Sequence, residues 1–121
     1  MTAVTIKRIL KQKEFSEKGS LSRLHEESTY MNFCRYLEDV EGGAVEETLC
    51  DLLAFFTACE MVPVMGFDPE PTLCFNEHDI FPTALTCAHQ LVLPTRYHDD
   101  EQKFKAAMST GLQFYGGYGK K

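Results

Sequence analysis

Apolar residues recur at helical spacing in three stretches of the chain. Tyr30, Phe33, Cys34 and Leu37 follow the i, i+3, i+4, i+7 pattern of one buried helix face and predict a helix over 29–40. Ser28 or Thr29 is placed to cap it, and Gly42 and Gly43 to stop it. Leu49, Leu52, Leu53 and Phe56 repeat the spacing and predict a helix over 45–59. Glu46 and Glu47 then fall in its first turn, where negative charge suits the helix dipole. Phe104, Ala107 and Met108 form the apolar face of a helix over 99–110. Asp99 as N-cap with Gln102 three residues on is a variant capping box, and Gly111 suits the C-terminal cap. Glu101 and Lys105 make an i, i+4 pair of the favourable order.

The remaining stretches read differently. Ile6, Ile9 and Leu10 predict a helix over 4–14, which Gly19 and its neighbouring serines follow with a loop over 15–27. Four of the five prolines (Pro63, Pro69, Pro71 and Pro82) lie between Val62 and Pro82, a density that allows only loops and short strands. Thr72 to Phe75 reads as one such strand, and Gln90 to Leu93 as another that Pro94 closes. Helices first, short strands next and a final helix predict a compact α+β domain: a small sheet flanked by helices.

Charge and cysteine usage narrow the function classes. The net charge of −6 is uneven: residues 1–25 carry +4 and the rest −10. An acidic body does not fit nucleic-acid binding. No apolar run reaches the roughly eighteen residues a membrane span needs, and the polar, lysine-rich N-terminus predicts no signal peptide. The five cysteines (Cys34, Cys50, Cys59, Cys74 and Cys87) are odd in number and form no CxxC pair. That predicts free thiols in a reducing compartment, cytoplasmic or nuclear. Cys50 beside the second apolar stripe and Cys59 at its end read as structural. Cys74, His78, Cys87 and His89 are suitable metal-ligand types, but the tight paired spacings of zinc sites are missing, so no metal or other cofactor is expected.

Three segments carry a resemblance. FPTALTCAHQLVLP, from Phe81 to Pro94, resembles the active-site segment of HECT-type ubiquitin ligases in its proline, its Thr-Cys pair and its closing Leu-x-Leu-Pro. VPVMGF, from Val62 to Phe67, is similar to that family's Val-Pro-x-x-Gly-Phe turn and follows Phe55, Phe56 and Thr57 as the family's turn follows its helix. Tyr30 to Glu41 is similar to the helix that opens the family's C-terminal lobe. The likeness is greatest to a divergent branch. Leu85 stands where the family often has histidine, and Ala88 and His89 where it often has Phe-Asn.

The resemblance implies a HECT C-terminal lobe over 15–121, with 1–14 as a basic lead-in or interlobe linker helix. It implies that Cys87 accepts ubiquitin as a thioester and passes it to a substrate lysine. Thr86 either donates a hydrogen bond to the sulfur or oxyanion, or simply fixes the loop. His89, if the segment is extended, shares a face with Cys87 and would promote its thiolate. Phe114 is the preferred match to the functional aromatic residue near the family's C-terminus, among Phe114, Tyr115 and Tyr118; packing on the domain is the alternative. The implied partners are ubiquitin, a protein substrate, and a ubiquitin-conjugating enzyme docked on an N-terminal lobe that 121 residues have no room for. The competing function is a ubiquitin- or protein-binding module.

Overall fold

The computed structural model describes residues 1–115. Among these residues four helices pack around a four-stranded sheet, giving the expected α+β domain. The elements are α1 (Ala3–Ile9), β1 (Gln12–Lys13), α2 (Leu21–Glu41), α3 (Leu49–Thr57), β2 (Thr72–Asn76), β3 (Thr83–Leu85), β4 (Gln90–Pro94) and α4 (Glu101–Tyr115). A single 3-10 turn, Thr86–Ala88, joins β3 to β4. The sheet order is β1-β2-β4-β3. β1, β2 and β4 run parallel, and β3 pairs antiparallel with β4.

One core serves the four helices, β2 and β4. Phe33, Tyr36, Leu37 and Val40 of α2 meet Leu52, Leu53 and Phe56 of α3, Leu73 of β2, Leu91 and Leu93 of β4, and Phe104, Met108 and Leu112 of α4. Leu73 and Leu91 are register partners, so their side chains leave the same face of the sheet side by side. Ile6 and Leu10 bring the first helix into the same cluster.

Element boundaries depart from the sequence pattern where polar residues decide them. α2 begins two turns before 29: Gly19 turns the chain at φ 87°, and the Ser20 hydroxyl accepts from the Arg23 N–H. Those turns expose Leu21 and Leu24 and bury the Glu26 carboxylate, which accepts from the Ser16 N–H and hydroxyl at 2.6 Å each. An apolar stripe is therefore absent from a segment that is helical. The first helix stops at Ile9, and Gln12–Lys13 forms a strand instead. α3 starts at Leu49, because Thr48 and Asp51 close a capping box. Glu46 and Glu47 thus precede the helix rather than filling its first turn.

At α4 the cap is Asp100, not Asp99: its carboxylate accepts from the Lys103 N–H at 3.1 Å. The Glu101–Lys105 pair forms at 2.8 Å, with Asp39 adding a second carboxylate at 2.8 Å. Gly111 does not end this helix. It is buried inside it, and a Cβ there would lie 2.7 Å from Cδ of Pro82. The glycine serves a close approach between α4 and the segment that enters β3. Gly111→Ala is expected to destabilise the fold: overpacking costs about 1–3 kcal/mol, and the gain in helix propensity returns only about 1 kcal/mol. Urea unfolding would register the difference as a lower midpoint.

Candidate functional site

The β3–β4 hairpin carries three of the residues singled out in the sequence. Pro82, buried under Gly111, fixes its entry. The 3-10 turn then brings Thr86 and Cys87 to the surface, both exposed. The Thr86 carbonyl accepts from the His89 N–H at 3.2 Å, and the His89 carbonyl accepts from the Thr72 N–H at 3.1 Å. The first bond closes the turn; the second ties it to β2.

His89 adopts the left-handed conformation, φ 53°, which only glycine and a few polar residues enter readily. The extended geometry that would set its ring beside the Cys87 thiol is absent. Its Nδ1 instead lies 2.5 Å from the Pro69 carbonyl, and its ring meets Phe67 edge-on at 5.2 Å. A carbonyl can only accept, so Nδ1 carries the proton. His89 thus anchors the Val-Pro-x-x-Gly-Phe loop to the turn. Phe67 and Pro69 are neighbours of the site that no local spacing in the sequence pairs with Cys87.

Beside Thr86 opens a groove of about 670 Å³, lined by Phe55, Ile80, Phe81 and Pro82 with Asp79 at its wall. Thr86, one of its lining residues, directly precedes Cys87. Phe114, 62% exposed, stands on the last turn of α4, three residues beyond the Gly111–Pro82 contact. No contact brings its ring to Cys87. Tyr118 lies outside the described residues.

The other thiols differ in setting. Cys34, Cys50 and Cys74 are partly buried, whereas Cys59 is exposed. The structural role expected of Cys59 fails because α3 ends at Thr57 and Ala58 turns the chain outward at φ 63°. Burial pushes the Cys74 thiol up to about 11, and the Glu14 carboxylate adds to the shift. At pH 8 its thiolate fraction is roughly a hundredfold below that of an ordinary thiol, a deficit that greater intrinsic nucleophilicity halves on the logarithmic scale. Iodoacetamide at pH 8 should label Cys59 and Cys87 first and Cys74 at least about tenfold more slowly. Peptide mass spectrometry over time would separate the rates. Among the described residues, no three His, Cys, Asp or Glu side chains are grouped to hold a metal ion, and no helix is long and apolar enough to cross a membrane.

The described residues form a small α+β domain that offers an exposed cysteine on a hairpin turn, next in sequence to a residue lining the groove. The model of the HECT domain (ubiquitin-transferase) matches residues 5–119, and the chain belongs to that family. It is 55% identical over 40 residues to the G2/M phase-specific E3 ubiquitin-protein ligase of Gallus gallus, a match covering 33% of this chain and 5% of that protein. With the G2/M phase-specific E3 ubiquitin-protein ligase of Homo sapiens it shares 38% identity over 60 residues, covering 49% of this chain and 8% of the relative. The matched segments are thus less than a tenth of the length of these relatives.

Proposed function

We propose that this chain is the C-terminal catalytic lobe of a HECT-type ubiquitin ligase and that Cys87 is its thioester-forming nucleophile. The observation that carries the reading is the exposure of Cys87 on the 3-10 turn of the family-matched hairpin. In the first step the Cys87 sulfur attacks the thioester carbonyl that joins ubiquitin to the conjugating enzyme. A new C–S bond forms, and the enzyme's thiolate leaves. In the second, a substrate lysine nitrogen attacks the new carbonyl and the Cys87 thiolate is expelled. Cysteine suits both steps, being strongly nucleophilic as thiolate and leaving readily from an activated acyl group.

The partners in this reading are ubiquitin, a substrate protein and a conjugating enzyme held by an N-terminal lobe, working in the cytoplasm or nucleus. In this reading Thr86, the residue before Cys87 and part of the groove lining, donates to the developing oxyanion. Phe114 serves the second step, as an exposed aromatic for ubiquitin or for the acceptor.

The test is a comparison of the complete ligase with the 121-residue chain alone, each mixed with a ubiquitin-loaded conjugating enzyme. The complete ligase should form a ubiquitin adduct that a reducing agent removes. The chain alone should form it far more slowly, because encounter without a docking platform forfeits effective concentration. No reducible adduct on the complete ligase would sink the reading in favour of a non-covalent binding module.

A further inference from the structure

The lysines of this chain fall into two blocks. Lys7, Lys11, Lys13 and Lys18 lie before residue 19, and Lys103, Lys105, Lys120 and Lys121 after residue 102. The stretch between them supplies the surroundings of the Cys87 turn. α3 packs on that turn, and β3 and β4 flank it. Thr72 of β2 donates to the His89 carbonyl, and Phe67 and Pro69 hold the His89 side chain.

Among the described residues, lysines with defined contacts lie on other elements. Lys11 and Lys13 belong to β1 and the residue before it, at the opposite edge of the sheet from β3. Lys11 pairs there with Glu70 at 3.9 Å, and the Lys13 Nζ stands 5.0 Å from the centre of the Tyr30 ring. On α4, Lys105 is held between Asp39 and Glu101 at 2.8 Å each. Asp39 and then Glu101 raise its pKa, which keeps its amine protonated and unreactive. A second feature points the same way. His89 carries an imidazole two residues from the sulfur, but a left-handed backbone and the Pro69 carbonyl commit its ring to Phe67. The amines are set apart by the order of the sequence, and the imidazole of the turn is engaged by the loop.

We propose that the lysine-free stretch is an acceptor-excluding surround: it denies the thioester on Cys87 an amine from its own lobe, so that ubiquitin waits for a lysine brought from outside. The inference rests on the assignment of Cys87 as the thioester cysteine. The hazard removed is proximity. A lysine one or two residues away meets the carbonyl without diffusion, and a positioned neighbour acts at an effective concentration that no dissolved amine attains. Its ammonium would lose a proton to water, and its nitrogen would bond to the thioester carbonyl carbon. The C–S bond would break, Cys87 would leave as thiolate, and the extra proton on nitrogen would pass to water. The product would be an isopeptide on the lobe itself, and the ubiquitin would be consumed.

The experiment loads the complete ligase with ubiquitin, quenches the conjugating enzyme, and follows the adduct at pH 8 with no acceptor added. Leu85→Lys puts an amine at an exposed position two residues before the sulfur, within about 7 Å along the chain. It should shorten the half-life of the thioester at least about tenfold. The diglycine remnant should then appear on position 85, in an adduct that reducing agent no longer removes. Ala88→Lys, directly after the sulfur, should give the same result at position 88. Discharge that outruns loading still registers, as an irreducible adduct from the start. Leu85→Arg carries the charge without a nucleophilic nitrogen and should keep the parent half-life. Ser22→Lys adds an exposed lysine where α2 meets Phe75 and Asn76, at the far end of β2 from the turn, and should also keep it. A parent-like half-life with no irreducible adduct in both Leu85→Lys and Ala88→Lys would overturn the proposal. An equal shortening in Leu85→Arg or Ser22→Lys would do so too, as would a parent ligase that rapidly modifies lysines of its own lobe, Lys120 and Lys121 included. Absence of any thioester in the unmodified ligase would instead overturn the Cys87 assignment beneath it.

Discussion

Cys87→Ala in the complete ligase is expected to abolish the reducible ubiquitin adduct and, with it, substrate ubiquitination. The expected loss is total because the step has no alternative atom: alanine offers nothing to bond to the ubiquitin carbonyl. Cys87→Ser keeps an oxygen in place. It should accumulate a slowly formed adduct that resists reducing agent, an oxyester, since the hydroxyl is a poorer nucleophile and leaving group. Both substitutions should leave the unfolding midpoint close to that of the parent, because the side chain is exposed on its turn. Cys59→Ala is the matched control: this thiol is also exposed, and its removal should leave the adduct intact. Gel analysis with and without reducing agent distinguishes the outcomes.

The second large effect concerns stability, at a residue far from the chemistry. The Glu47 carboxylate is 1% exposed. It accepts from the Tyr36 hydroxyl at 2.6 Å, the Ser109 hydroxyl at 2.5 Å and the Gln113 amide at 3.4 Å. One side chain from the bend before α3 thereby ties α2 to α4. Glu47→Ala removes the acceptor for all three donors and leaves the buried Tyr36 hydroxyl with only the Ser109 hydroxyl beside it. Hydrogen bonds to a charged group, and the cost of orphaning a buried donor, set the expected loss at about 2–4 kcal/mol. That is a large part of the roughly 5–15 kcal/mol that holds a domain folded. Denaturant titration of Glu47→Ala against the parent measures it, and a loss below about 1 kcal/mol would mean the hub is marginal.

The same hub sets a pH dependence. Burial, then the Glu47 carboxylate, holds the Tyr36 phenol far above its ordinary value of 10.0. Below pH 10 both folded and unfolded chains keep this proton, and the full stability is present. Above pH 10 the unfolded chain releases it while the folded chain retains it, so stability falls by about 1.4 kcal/mol per pH unit. Tyr30, pushed up to about 12 mainly by burial, and Cys74 act in the same direction. Tyr36→Phe should make the alkaline loss shallower.

Apolar periodicity made the interiors of α3 and α4 legible, since Leu52, Leu53, Phe56, Phe104 and Met108 occupy core positions at helical spacing. It located α2 but rotated its buried face, which runs through Phe33, Tyr36, Leu37 and Val40, leaving Tyr30 and Cys34 at its edge. The early turns of α2 stayed hidden because their buried contact is a carboxylate on Ser16, which hydropathy reads as surface. Gly111 misled for a related reason: a glycine that admits Pro82 of another element looks, in one dimension, like a helix end.

The site was legible in part. The residues flanking Cys87 carried the family resemblance, and the fold sets that cysteine on an exposed turn. The orientation of His89 was not legible. It depends on Pro69 and Phe67, about twenty residues away in sequence, and on a left-handed backbone that no local pattern marks. The exposure of Cys59 was hidden likewise, because the alanine that turns the chain outward is a strong helix former.

The most direct measurement is the location of ubiquitin on the loaded lobe. The complete ligase is mixed with a loaded conjugating enzyme, quenched in acid within seconds, digested at low pH to preserve thioesters, and searched by mass spectrometry for the diglycine remnant. The remnant is expected on the Cys87 sulfur, lost after reducing agent and absent from Cys34, Cys50, Cys59 and Cys74. A remnant on Cys59, or one found on lysine alone at the earliest times, would contradict the assignment of Cys87 as the atom that carries ubiquitin.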